Sequence, residues 1–307
     1  MSFNVSALSA YVDANGKEIM RKVVLGGSTA KLVTVMPGIK TTKNLNLMSN
    51  TVYIQQGGSC GLVDSGSTIL STRAVSVCDC GILQPLCLDT LEDYYTQVQM
   101  KAGSYNEELP FEAIYVEDFV ARVGQENDKL IWQGKEGASG NLGACNGLLH
   151  KFSGTSDSAT TVTVTTVTGF TVSNAISAIN TVVNNIPADA WAENDMTIFM
   201  SIPYFLIYQQ ALVAANYVHY NPGQVPVFEQ VVPGVNAKVV ATIGLNNTTK
   251  IIATPANNIV IGVDMIEDSE KMDIWYSKDD QKVKTLMKYK QGVTVKYPEF
   301  VVECTIQ

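Results

Sequence analysis

The longest regular pattern in the chain is an apolar stripe between Glu107 and Gln133. Its apolar members recur at the three- or four-residue spacing of one helix face: Phe111, Ile114, Tyr115, Phe119, Val123, Leu130 and Ile131. Asn106 precedes the stripe as a cap, Pro110 fits a first helical turn, and Gly134 follows the last turn. The pattern predicts one long helix, and any fold of this chain must bury its apolar side.

Strand patterns dominate the second half of the chain. Thr160–Thr168 alternates Thr and Val, which is typical of a strand with one solvated face. Two shorter helices are predicted, one over Ile176–Ile186, ending before Pro187, and one from Pro203 to about Ala215. Further strands are expected at 238–243, 251–253, 259–263, 273–276, 282–289 and 293–295. Separate helical and strand segments of this kind predict a mixed α+β fold.

The first eighty residues contain two segments that lack a core of their own. In Ser6–Val24 the apolar residues have near-helical spacing, but Asn15-Gly16 interrupts them, so we expect a weakly folded arm and not a core element. Residues 51–80 alternate apolar with Ser, Thr, Gln and Gly, which predicts a two-stranded ribbon with a Gly/Ser tip. Such a ribbon buries little by itself and needs a partner surface.

Charge and composition exclude several classes of protein. The net charge of −8, without a run of Lys or Arg, argues against tight binding to nucleic acid or anionic membranes. No stretch approaches the roughly 20 apolar residues that span a bilayer, so a soluble cytoplasmic product is expected. Charged residues are only 16% of the chain, which suits a surface that becomes buried against neighbouring molecules.

One short pattern resembles a serine hydrolase motif. Gly57–Gly61 matches the G-x-S-x-G nucleophile elbow with Ser59 as nucleophile. The elbow requires a helix after it, and the turn-rich sequence that follows does not predict one. Only His150 and His219 are available as a base.

A second pattern resembles an aspartic protease motif. Asp64 lies within Leu62–Ser67, which is similar to the hydrophobic-Asp-Ser/Thr-Gly signature, and Ile259–Gly262 resembles the downstream apolar-Gly element. These proteases need two aspartates that share a proton, so a single copy requires a symmetric dimer. A hydrolase using Asp64 or Ser59 is the alternative function, and no catalytic residue is predicted.

Six cysteines lie at positions 60, 78, 80, 87, 145 and 304. They are too sparse for a disulfide scaffold and no secretion signal accompanies them, so reduced, mostly buried thiols are expected. The spacing of Cys78, Cys80 and Cys87 misses the usual zinc pattern. The acidic residues around Asp264 and Asp273 lack the order of a calcium loop. No metal or cofactor is predicted.

Resemblance to a known family is strongest near the C-terminal end. Ile251–Asp264 reads IIATPANNIVIGVD and is similar to a stretch found in many major capsid proteins of tailed bacteriophages. Lys290–Val293 and Glu299–Val302 also resemble that family. Three upstream segments resemble the capsid proteins of phages infecting Bacteroidota: Ser6–Leu8, Gly57–Gly61 and Leu91–Thr96. The resemblance covers most of the chain.

The resemblance implies the α+β capsid fold named after phage Hong Kong 97. Its parts are an N-terminal arm, an extended β loop, a peripheral domain with a long spine helix, and an axial domain. On this chain they correspond to an arm at 1–46, an extended loop at 47–86, a peripheral domain at 87–150 with the spine helix at about 107–133, an axial domain at 151–265, and a return to the peripheral strands and the axial domain at 266–307.

The function implied is structural. The chain would assemble with itself as hexamers and pentamers into an icosahedral or elongated head enclosing double-stranded DNA. Its other expected partners are a separate scaffold protein, a portal and decoration proteins, with only weak contact with packaged DNA and none with a membrane. The protein would be made in the host bacterial cytoplasm and end in the virion. Another phage structural protein, such as a tail-tube or decoration subunit, is a further alternative.

The tip of the ribbon is the predicted contact with an adjacent subunit. Its residues are Gly57, Gly58, Ser59, Gly61, Asp64, Ser65, Gly66 and Ser67.

Overall fold

The computed structural model describes residues 19–20, 22–24, 26–55, 64–87, 111–153, 163–193, 195–217, 228–264 and 271–307. The helices are α1 (Phe111–Gln133), α2 (Leu148–Phe152), α3 (Ala175–Asn184) and α4 (Ile202–Ala214). The strands are β1 (Thr34–Met36), β2 (Thr42–Thr51), β3 (Ser67–Ser76), β4 (Cys78–Cys87), β5 (Thr163–Val167), β6 (Met196–Ser201), β7 (Glu229–Val231), β8 (Ala237–Thr242), β9 (Lys250–Pro255), β10 (Ile259–Val263), β11 (Lys271–Ser277), β12 (Lys282–Val295) and β13 (Val302–Ile306). The predicted α+β class is confirmed.

A five-stranded sheet is built around β12. β4 pairs with one side of β12, and β11 and β10 pair with the other side one after the other. β1 runs parallel to β10. Alternate residues of β12 are buried on the face that α1 covers. There the Tyr289 hydroxyl donates to Asn127 Oδ1 at 3.2 Å, and the Tyr115 and Thr285 hydroxyl oxygens lie 3.2 Å apart. The described part of the predicted stripe, from Tyr115 to Ile131, therefore lies in the apolar cluster that α1 shares with this sheet.

The predicted long helix is confirmed from Phe111 to Gln133, and residues 107–110 lie outside the described part of the chain. The helix ends where predicted because Gly134 follows it in a tight connection. A Cβ at Gly134 would lie 2.3 Å from the carbonyl oxygen of Cys145, which only glycine avoids.

A six-stranded sheet has the order β5-β13-β9-β6-β8-β7. β6, at its centre, is buried at every residue, as expected for a strand covered on both faces. α3 and α4 share one apolar cluster with one face of this sheet. Both predicted helices are present, and the Thr/Val alternation forms β5 from Thr163 onward.

Asp128 of α1 connects the two sheets. It is 1% exposed, and its carboxylate accepts hydrogen bonds from the Ser28 hydroxyl (2.8 Å), the Thr242 hydroxyl (2.8 Å), and the backbone N–H groups of Gly244 (3.1 Å) and Thr29 (3.1 Å). One helix is thereby tied to the segment before β1 and to the end of β8.

Part of the predicted arm belongs to the core. Ile19, Met20, Val23 and Val24 are all buried in the cluster that contains the inner face of α1. The expectation of a weakly folded arm is wrong for these residues, because their helical spacing gives one apolar side and α1 supplies the surface that covers it.

The cysteines also differ from expectation. Cys78 and Cys145 form a disulfide with a Cα–Cα distance of 6.0 Å, so the expectation of reduced thiols is wrong for this pair. The bond joins the start of β4 to the connection between α1 and α2. Cys80, two residues further along β4, places its sulfur 3.9 Å from that of Cys145. Burial raises the pKa of the Cys80 thiol to about 11.

None of the helices in the described ranges has the length and apolar character needed to cross a membrane.

Candidate assembly surface

β2 and β3 form an antiparallel hairpin that is a sheet of its own. The register runs from Thr42 opposite Ser76 to Thr51 opposite Ser67. Ten pairs at the usual rise make a ribbon about 30 Å long. This is the ribbon predicted from residues 51–80, but its boundaries differ. Residues 78–87, most of which the prediction placed in the extended loop, pair with β12 as β4.

The root of the hairpin is held by apolar contacts and by two glycines. Val75 packs with Ile39 and Val260 in a small buried cluster. Gly262 of β10 lies opposite Gly292 of β12. A Cβ on Gly292 would lie 1.9 Å from the carbonyl oxygen of Ser76, and one on Gly262 would lie 2.7 Å from Val75 Cγ1. The paired glycines thus leave a slot in the sheet surface, in which the end of β3 sits.

Away from the root the hairpin exposes apolar side chains. Met48 and Leu70 face each other across the ribbon and are 58% and 77% exposed. Beyond the last pair, Val52 and Tyr53 are exposed and Ile54 is 98% exposed. The only charged side chains on the two strands are those of Lys43 and Arg73. A nearly uncharged projection that exposes apolar side chains toward its far end is well suited to burial against another molecule.

The predicted contact residues fall in two groups. Gly57, Gly58, Ser59 and Gly61 lie outside the described residues. Asp64, Ser65, Gly66 and Ser67 are described and all are exposed at the far end of the hairpin.

Two features organise the described side of the tip. The Gln55 side-chain amide donates to the Ser65 hydroxyl. Gly66 has φ 106°, a conformation that favours glycine, and a Cβ there would lie 2.6 Å from the carbonyl oxygen of Thr51. The chain therefore returns from the tip to β3 through a position that only glycine fills without strain.

The sequence prediction named the Gly/Ser residues of the tip and missed the apolar residues beside them. Val52, Tyr53 and Ile54 have the highest exposure near the tip, and Met48 and Leu70 continue the apolar surface along one face. Three consecutive apolar residues before a Gly-rich turn were the available signal, because a solvated hairpin end is normally polar.

The residues of the hydrolase alternative do not come together. Asp64 is exposed beyond the end of the hairpin, whereas Ile259–Gly262 forms buried β10 at the hairpin root. These two elements must adjoin in an aspartic protease site. Ser59 and His219 lie outside the described residues, and His150 lies in α2.

The cysteines considered as zinc ligands are arranged otherwise. Cys78 is in the disulfide, and Cys87 lies at the opposite end of β4 from Cys78 and Cys80. Across the residues that the structure describes, no group of three His, Cys, Asp or Glu side chains is placed to hold a metal ion.

Comparison with protein-family models and with curated proteins finds no match. Solved structures do match. A chain of the satellite phage P4 procapsid including size determination protein is 11% identical with a TM-score of 0.59, covering 97% of this chain and 95% of that one. A Gordonia phage Cozz chain is 12% identical with a TM-score of 0.56, covering 91% and 86%. A capsid chain of an empty GTA particle is 11% identical with a TM-score of 0.55, covering 91% and 89%. The likeness is one of fold, and it extends over nearly the whole of each chain.

Proposed function

We propose that this chain, which has the fold of phage capsid proteins, is the major capsid protein of a tailed bacteriophage. In this function it is a structural subunit that assembles as hexamers and pentamers into a closed shell around double-stranded DNA. The fold match and the residue-level resemblance near Ile251–Asp264 support the same proposal from independent directions.

The exposed hairpin is the observation that carries the proposal. It projects about 30 Å from its sheet and ends in Val52, Tyr53 and Ile54, which its own subunit leaves exposed. Full burial of each such side chain is worth roughly 1.5–3 kcal/mol. A subunit gains that stabilisation only when a neighbour covers the tip, so this surface favours association over the isolated chain.

The division into domains stays a prediction, with one adjustment. We assign the extended loop to residues 42–76, because residues 78–87 belong to the five-stranded sheet. That sheet with α1 corresponds to the peripheral domain, and the six-stranded sheet with α3 and α4 corresponds to the axial domain. Ile19, Met20, Val23 and Val24, which the prediction placed in the arm, are buried in the core.

The remaining partners follow from this function. A separate scaffold protein, a portal and decoration proteins would complete the head, and synthesis would take place in the host cytoplasm before assembly into the virion. The net charge of −8 favours only weak contact between the shell wall and packaged DNA, because like charges repel.

The first test is assembly itself. The chain is expressed alone and with a candidate scaffold from the same genome, and the products are examined by negative-stain electron microscopy and mass photometry. Rings, capsomers or closed shells support the proposal. A monomer or dimer under every condition contradicts it.

A variant series then tests the hairpin. Ile54→Ser and replacement of residues 57–67 by a short Gly/Ser turn should prevent shells and leave a folded monomer, because Ile54 and residues 64–67 are exposed in the subunit. Asp118→Ala, an exposed carboxylate of α1 away from the hairpin, is the control and should assemble as wild type. Asp64→Ala tests the hydrolase alternative, which requires this change to abolish turnover. Normal shells from both hairpin variants would refute the role of the tip.

A further inference from the structure

Two long stretches of the chain carry no formal charge. Residues 158–188 and residues 196–228 contain no Asp, Glu, Lys or Arg. In an ordinary soluble domain about a quarter of residues are charged, so each stretch departs strongly from a solvated surface. Charged residues are depleted at the centres of protein interfaces, which makes the placement of these stretches informative.

The two stretches lead to opposite edges of the six-stranded sheet. The first contains β5, which is one edge strand, together with α3. The second contains α4 and ends at Phe228, next to β7, which is the other edge strand. Five interstrand spacings separate the edges by about 24 Å. We name the surface of β5 and α3 the β5 flank, and the surface of α4 and β7 the β7 flank.

The β7 flank is apolar where a solvated helix is polar. Phe205, Tyr208, Ala211 and Leu212 form the buried side of α4, and the outward side carries Leu206 and Val213, which are 50% and 57% exposed. Tyr217, Phe228 and Val231 continue the exposed apolar surface toward the sheet edge. Gln209 and Gln210 interrupt this surface but bring no charge to it. A helix with so few polar residues is normally buried on most of its sides, and among the described residues the outward side of α4 stays exposed.

The β5 flank is different in kind. Val164 is 64% exposed and Val172 is 40% exposed, and the other outward residues of α3 are Ser, Thr and Asn. The two flanks are held in a fixed relation, because α3 and α4 share one apolar cluster and the Phe170 and Tyr204 rings meet at 5.2 Å. One rigid layer therefore presents an apolar flank at one end and a small, uncharged flank at the other.

We infer that the β7 flank of one copy packs against the β5 flank of the next copy, in a head-to-tail contact that repeats around a ring. The inference rests on the proposed function and specifies the surfaces through which the subunits meet. A closed ring needs a heterologous contact between two different surfaces of the same chain. The flanks are two such surfaces. Glu229, on the β7 flank, lies 3.8 Å from Lys238, so burial of that flank would not leave its charge unpaired. A flank that paired with its own copy would instead give a two-fold dimer.

Cysteine cross-linking tests this contact. Val213→Cys is combined with Val164→Cys or, in a second construction, with Val172→Cys; all three positions are exposed and the changes are small. Assembled particles are treated with a short bismaleimide and separated under denaturing conditions. The three single variants and the wild-type chain, with its native cysteines, are the controls. The double variants should give a ladder of covalent oligomers up to five and six subunits, and the single variants should match wild type.

The outcomes separate this inference from the proposed function. Particles that form normally but give no ladder from either double variant overturn the inference and leave the proposed function intact. Dimers from Val213→Cys alone overturn the head-to-tail arrangement, and an adduct with a scaffold protein shows that a different partner covers the flank. If wild-type chains form no particles at all, the proposed function fails and the inference fails with it.

Discussion

Removal of the Asp128 carboxylate should destabilise the subunit far more than a change at an exposed acid on the same helix. Asp128 receives hydrogen bonds from two backbone N–H groups, those of Thr29 and Gly244, and from two hydroxyls. In Asp128→Ala the hydroxyls can rotate toward other acceptors, and the Gly244 N–H keeps the Thr242 hydroxyl oxygen at 3.2 Å, but the Thr29 N–H loses the carboxylate that accepts from it. A buried donor without a partner costs about 1–3 kcal/mol, so the expected loss is about 2 kcal/mol.

Two further variants make the magnitude interpretable. Asp128→Asn keeps the shape and one acceptor oxygen but turns an NH₂ group toward donors, so its loss should lie between those of wild type and Asp128→Ala. Asp118→Ala removes an exposed carboxylate of α1 that lies 3.9 Å from Arg122, and such pairs contribute about 0–1 kcal/mol.

The free energy of unfolding is measured by chemical denaturation of the unassembled chain, followed by circular dichroism. A loss below about 1 kcal/mol for Asp128→Ala, equal to that of Asp118→Ala, would refute the view that this carboxylate joins the two sheets. A large loss for Asp128→Ala with little effect of Asp128→Asn would show that shape matters more than the hydrogen bonds.

Three other predictions follow from buried groups and close contacts. Burial raises the pKa of the Cys304 thiol to about 11 from its ordinary 9.0, so the folded state favours the protonated thiol. The free energy of unfolding should therefore fall by about 2 kcal/mol as the pH rises from about 9 to about 11. Denaturation of Cys304→Ala at both ends of that range should show a smaller loss. Gly292→Ala should lower stability by at least about 2 kcal/mol, because its Cβ would overlap the backbone carbonyl oxygen of Ser76. Gly81→Ala is the control: a Cβ there meets nothing within 4 Å, so its melting temperature should stay near that of wild type. Equal effects of the two changes would contradict the close approach of Gly292 to Ser76. The disulfide between Cys78 and Cys145 closes a separation of 67 residues, so its reduction should lower stability by about 4 kcal/mol. A reductant that leaves the melting temperature of wild type unchanged would count against the disulfide. A reductant that lowers the melting temperature of Cys145→Ser as much as that of wild type would also count against it.

The local sequence pattern was sufficient to predict the helices and strands whose buried side follows from the spacing of their own apolar residues. The stripe of α1 predicted the helix to its last residue, and Pro203 and the Thr/Val alternation marked α4 and β5. The capsid fold itself was predicted from the resemblance around Ile251–Asp264, and the structural comparison confirms it.

Long-range pairing was not predictable from the same signals. β4 alternates like the ribbon before it, and only its partner β12 shows that Cys78–Cys87 belongs to a sheet. Asp128 stands among charged and polar neighbours and reads as a surface residue, because its donors lie about a hundred positions away on either side. The apolar hairpin end at Val52–Ile54 was visible in the sequence, but its exposure depends on the hairpin projecting from the subunit.

The slot that the paired glycines leave beneath the hairpin also sets the angle at which the hairpin leaves the sheet. A ribbon about 30 Å long acts as a lever, and a rotation of about 10° at its root moves its end by about 5 Å, which is the distance between neighbouring strands. Ile54 would then meet a different row of side chains on whatever it contacts. Gly262 and Gly292 lie far from that contact, yet the absence of two methyl groups there determines where the far end points. In an assembly whose subunits meet through such hairpins, the curvature therefore depends on the hairpin root as much as on the contact at the hairpin end.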